Sequence, residues 1–156
     1  GMMTSIWGPA AWHFIHSISF NYPVHPTPEQ KKEYMNFILS LRYILPCGKC
    51  RKNLAKNFKK LPLTIKQMES RATFSKYVYN LHKVINTMLN KKTNVTYEEV
   101  RDIYEHFRAR CMDANKTQKT GQEKGCVIPY YGKKQKCILS IVPQTNKCKT
   151  FRILKK

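Results

Sequence analysis

The chain has 156 residues with an apolar fraction of 42%, enough for one domain with a true core and too apolar for wholesale disorder. Its 29 Lys and Arg against 9 Asp and Glu give a formal charge of +20, a balance that favours polyanionic or acidic partners and also serves solubility. The excess is uneven, with 18 basic against 7 acidic side chains in residues 1–111 and 11 against 2 in residues 112–156.

Residues 4–110 read as helices. In the first, Trp7, Ala11, Trp12, Ile15 and Ile18 recur at helical spacing, with Thr4 or Ser5 as the N-cap and Tyr22-Pro23 as the stop. This apolar stretch has no basic segment before it, carries His13 and His16, and is too short to cross a bilayer. Neither a secretory signal nor a transmembrane span is expected. Pro26-Thr27-Pro28-Glu29 opens a second helix whose stripe is Tyr34, Phe37, Ile38, Leu41 and Leu45. A short cationic helix runs from 47 to about 58 and is broken by Pro62. The fourth helix, opened by Ser70 or Thr73, has a wide apolar face of Phe74, Tyr77, Val78, Leu81, Val84, Ile85, Met88 and Leu89. Thr96 and Glu99 form a capping box for a fifth helix with Val100, Ile103, Tyr104 and Phe107 inward. Short loops between such helices predict an all-α, antiparallel four-helix bundle with a short fifth helix. Residues 112–125 read as a polar linker, and residues 126–156 as a small, basic, β-prone segment with cysteines at 126, 137 and 148.

Pro46-Cys47-Gly48-Lys49-Cys50 carries the chemistry. Cysteines at i and i+3 on a first helical turn can close a disulfide, and the helix N-terminus with neighbouring cations stabilises the thiolate that attacks and leaves. Lys49, Arg51, Lys52, Lys56, Lys59, Lys60 and Lys66 supply those cations with no acid among them. Spacing alone leaves a zinc half-site, a thioredoxin-type motif or a chance pair open. Zinc needs four suitable ligands, no second close pair lies near Cys50, and no metal site is expected. A thioredoxin-like unit needs a strand before the dithiol, yet residues 37–45 are helical in period. His16 four residues after Trp12, and Asn86 four after His82, put polar groups on apolar faces that need partners. Converging with the dithiol at one end of a bundle, these faces would make a pocket for a flat, polar-edged redox cofactor.

The chain resembles the Erv/ALR family of FAD-linked sulfhydryl oxidases. The likeness rests on Trp7-Gly8-x3-Trp12-x3-His16, Tyr22-Pro23, Pro26-Thr27-Pro28-Glu29-Gln30, Phe37-Ile38, Pro46-Cys47-x2-Cys50 and His82-x2-Ile85-Asn86-x2-Leu89-x-Lys91. It runs from about Trp7 to Cys111. The resemblance implies a helical FAD-binding domain over residues 1–111, often a homodimer. It assigns catalysis to Cys47 and Cys50, and flavin binding to Trp7, Gly8, Trp12, His16, His82, Ile85, Asn86, Leu89 and Lys91, with Tyr104 in place of a family tryptophan. Electrons would pass from protein dithiols to Cys47–Cys50, to FAD and to O2, giving H2O2. The chain departs from the family at Lys83, usually asparagine, at Leu45, usually aromatic, and at Tyr79 and Thr96, often a bridging cysteine pair. The lack of that cysteine pair, like the lack of a targeting segment, resembles compact viral members, which points to host cytoplasm or virion as the location. The tail is expected to hold at least one disulfide or a shuttle pair among Cys111, Cys126, Cys137 and Cys148, and to contact polyanions. A non-enzymatic basic zinc- or nucleic-acid-binding module is the competing reading.

Overall fold

Side-chain capping signals are strong at three of the five helix starts. The structure, a computed structural model, describes residues 1–110, 126 and 128–129. Helix α1 spans Thr4–Phe20, α2 Pro28–Ile44, α3 Gly48–Lys60, α4 Arg71–Met88 and α5 Tyr97–His106, with a 3₁₀ turn at Ile65–Met68. The side chains of Thr27, Ser70 and Thr96 cap α2, α4 and α5, and each makes the reciprocal capping box. Pro28 follows at the first position of α2, where its missing N–H costs nothing. The expected Thr4 or Ser5 cap of α1 is not formed. Met3 holds that position without a side-chain bond, and both hydroxyl residues lie inside the helix.

Helices α1 and α4 pack on one another, as do α2 and α3, while α4 also touches α3 and α5. This is the expected bundle. Its core is Ile15, Tyr22, Ile38, Leu54, Phe58, Leu63, Met68, Phe74, Tyr77, Val78 and Leu81. Tyr22 is fully enclosed, edge-on to Tyr34 at 4.7 Å, and its hydroxyl donates to the Met68 carbonyl at 2.8 Å. The apolar face of α4 is buried only in part. Met88, the last residue of α4, and its C-cap Leu89 are 42% and 52% exposed.

Helix α5 departs further from expectation. None of its residues is fully buried, and Ile103 and Phe107 are 49% and 58% exposed, so they do not point into a closed core. Helical structure also stops short of residue 110. Ala109–Arg110 forms a strand, β1, paired antiparallel with β2 at Ile128–Pro129. The turn that ends α5 is fixed by Arg108, which pairs with Glu105 and donates to the Phe20 carbonyl at 2.8 Å. The linker at 112–125 and most of the basic segment lie outside the described residues.

Candidate functional site

Cys47 is the N-cap of α3, in an extended backbone conformation, and Cys50 stands on the first turn. The two are joined in a disulfide with Cα atoms 5.1 Å apart. The Cys50 N–H donates to the Cys47 sulfur at 3.2 Å, so the helix N-terminus aims one of its free donors at that atom. Arg51 reaches back to the Leu45 carbonyl and clamps the turn before the dithiol. The N-terminal segment lies against the same turn, with the Met2 N–H donating to the Pro46 carbonyl at 2.9 Å. Trp7 then donates through Nε1 to the Met2 carbonyl at 3.2 Å.

The second part of the site is a cavity of about 300 Å³ between α1, α4 and α5. His16, His82, Asn86 and Tyr104 line it, with Tyr79, Lys83, Thr93, Val95, Val100 and Ile103 completing the wall. Trp12 stacks on His82 with ring centres 4.0 Å apart and planes 7° apart. His16 and His82 share a hydrogen bond of 3.0 Å between Nε2 and Nδ1. Burial, then the His82 and His13 charges, lower the His16 pKa from the usual 6.5 to about 4. Burial and then Lys91 lower that of His82 to about 4. Both rings are therefore neutral at physiological pH. His16 is 4% exposed, yet its Nδ1 has no partner among the described residues. Tyr104 stacks on Phe20 at 5.1 Å and bonds through its hydroxyl to His13 Nδ1 at 3.1 Å.

Of the residues the sequence pointed to, His16, His82, Asn86 and Tyr104 meet in the cavity wall, with Trp12 stacked behind. Ile85 packs on the core instead, and Leu89 and Lys91 are exposed beyond the end of α4. Lys91 is held by its own N–H, which donates to the Asn86 carbonyl at 2.9 Å, and Asn90 makes the turn with φ of 56°. Trp7 and Gly8 sit at the start of α1, and a Cβ at Gly8 would meet nothing within 4 Å. Sequence reasoning passed over His13, whose spacing from His16 and Tyr104 gave no signal, and the wall contributed by Thr93 and Val95. The donor set suits FAD: an aromatic wall, an unpartnered buried imidazole nitrogen, and the exposed cations Lys83 and Lys91. Of the tail cysteines, Cys126 is described and is disulfide-bonded. Cys111, Cys137 and Cys148 lie outside the described residues.

Residues 9–108 match the Erv1 / Alr family. A probable FAD-linked sulfhydryl oxidase of Acanthamoeba polyphaga mimivirus is 41% identical over 99 residues, covering 64% of this chain and 68% of that one. An FAD-linked sulfhydryl oxidase of African swine fever virus is 30% identical over 115 residues, covering 74% of this chain and 93% of the relative. The crystal structure of the FAD binding domain of Erv1 from Saccharomyces cerevisiae superposes with a TM-score of 0.60 at 25% identity, over 67% of this chain and 95% of that domain. With fold, motif order and pocket agreeing, the chain belongs to the Erv1/Alr family.

Proposed function

We propose that this protein is an FAD-dependent sulfhydryl oxidase that forms disulfides in protein substrates. The observation that carries this reading is the closed Cys47–Cys50 disulfide at an α3 N-terminus, in one bundle with the His16/His82/Asn86/Tyr104 cavity. The overall reaction converts a protein dithiol and O2 into a protein disulfide and H2O2, two electrons and two protons moving together.

A substrate thiolate attacks the Cys47 sulfur, breaking its bond to Cys50, which leaves as a thiolate. The substrate's second thiolate then attacks its own half of the mixed disulfide and expels Cys47. The Cys50 N–H and the α3 N-terminus stabilise the negative charge that arrives on the Cys47 sulfur. Bound FAD supplies the two-electron acceptor that lets Cys47–Cys50 close again, and a path for those electrons to O2. Trp12, His16, His82, Asn86 and Tyr104 would hold its rings, with Trp7 and Gly8 as further contacts; Ile85, packed on the core, and Leu89, exposed past α4, stand outside that set. Lys91 and Lys83 place positive charge where a pyrophosphate needs it. The zinc-module alternative is not favoured, because both sulfurs are engaged with each other.

We propose that the homodimer contact lies on the exposed stripe Ile6, Ala10 and Phe14 of α1, beside Phe37 of α2, an apolar surface left uncovered in one chain. Host cytoplasm or virion is the proposed place of action, supported by the likeness to viral relatives. The deciding experiment is the visible spectrum of the purified protein before and after anaerobic dithiothreitol. A flavin band that bleaches with thiol and returns in air is the expected result. A protein still colourless after incubation with FAD would overturn the reading.

A further inference from the structure

The outer face of α3 is a row of cations that no acid answers among the described residues. Lys49, Lys52, Lys56, Lys59 and Lys60 are all exposed, at spacings that place them along one side of the helix, while Leu54, Asn57 and Phe58 are buried on the other. Residues 34–68 contain 8 Lys and Arg and no Asp or Glu. None of these lysines is in an ion pair among the described residues. Acids are available elsewhere, since Glu98, Glu99, Asp102 and Glu105 all stand on α5. A surface built for solubility alone intersperses both signs, and this one segregates them. Tyr43 and Ile44, 68% and 64% exposed, add an apolar step just before the dithiol.

We propose that this stripe is the docking track for the protein substrate, and that the preferred substrates carry acidic residues near their reactive cysteine pair. The inference rests on the sulfhydryl oxidase reading above. Geometry sets the register. At ~1.5 Å per helical residue, Lys56 and Lys59 lie roughly 9 and 13 Å along α3 from Cys50. An extended substrate advancing ~3.3 Å per residue reaches them three to five positions from its attacking cysteine. Those distances exceed a Debye length of ~8 Å at physiological salt, so Lys56, Lys59 and Lys60, contrary to the expectation that they steady the thiolate, act on the docked chain and little on the sulfurs.

The test uses the full chain and two peptides with the same cysteine pair, one bearing glutamates three to five residues away and the other lysines. Expected is a preference for the acidic peptide of at least about threefold at low ionic strength, seen in KM, that shrinks as salt rises. The triple variant Lys56→Glu/Lys59→Glu/Lys60→Glu should reverse the preference while dithiothreitol turnover and flavin absorbance stay unchanged. Equal treatment of the two peptides by the wild type, or an unchanged preference in the variant, would overturn the proposal. So would loss of affinity for a single-stranded oligonucleotide in the variant with the peptide ranking intact, which makes the stripe a nucleic-acid site. Absence of dithiothreitol oxidation would sink the oxidase reading instead. The docking track is then still read from anaerobic reduction of Cys47–Cys50 by each peptide.

Discussion

Cys47 and Cys50 are not equivalent atoms, because the helix donor falls on Cys47 and the sequence motif does not say so. Cys47 is thereby suited to be expelled as a thiolate, leaving Cys50 as the sulfur that must be freed before electrons move on. Replacement Cys50→Ser should leave the fold and flavin absorbance intact and reduce oxidase turnover to background. Turnover with dithiothreitol above background would remove Cys50 from the mechanism. The histidine pair gives a pH signature. Both pKa values are depressed, so the unfolded chain binds more protons between pH 6.5 and 4, and stability is present above that window and lost as pH falls through it. For His16 the full loss is of order ~3 kcal/mol. Thermal unfolding followed from pH 7 to 4 should show a falling Tm, and His16→Gln should flatten the slope across that range. His16 and His82 were legible as polar residues on apolar faces, but that they would bond each other, rather than find separate partners, was not. The sequence pattern places residues on a face without saying how far apart two helices stand.

Among the elements, α5 is the one held by its ends. At its start, Thr96 caps the helix, Tyr97 bonds Ser75 at 2.8 Å, and the Tyr79 hydroxyl donates to the Val95 carbonyl at 2.8 Å. Tyr79 and Thr96 are the positions where family members often carry a bridging disulfide, and here tyrosine contacts span the same gap. At its end, Arg108 ties Glu105 to the Phe20 carbonyl. Thr96→Ala removes the cap and should weaken α5 by about 1 kcal/mol. Hydrogen exchange should then quicken in α5 while α4 amides stay protected, and equal protection in both helices would contradict this view. Capping boxes are local, which is why α2, α4 and α5 could be read from sequence. The start of α1 could not, since Thr4 and Ser5 are good caps in isolation, and that end is fixed instead by the Met2 N–H on the Pro46 carbonyl and by Trp7 Nε1 on the Met2 carbonyl. The inward reading of Ile103 and Phe107 failed for a related reason. An amphipathic pattern reports a face in need of cover, and on α5 Ile103 borders the cavity while Phe107 lies edge-on to His13 and Tyr104.

For the whole molecule, bundle and cavity follow from the order of helices and their short loops. The proposed subunit contact rests on what is left uncovered. Phe14 is 59% exposed and meets Phe37 edge-on at 6.4 Å, so a charge there faces the proposed partner and not the core. Phe14→Glu should convert a dimer to a monomer in sedimentation without changing the helical circular dichroism. A wild type that sediments as a monomer at micromolar concentration would refute the assignment. The core residues and the cavity-lining residues are disjoint sets, with α4 supplying members of both. Its buried face from Phe74 to Leu81 carries cohesion, and its next turn, His82 to Asn86, carries the ligand wall. Loss of cofactor and loss of fold should therefore be separable by mutation: Asn86→Ala in the wall should lower flavin content with little change in Tm, whereas Val78→Ala in the core should lower Tm.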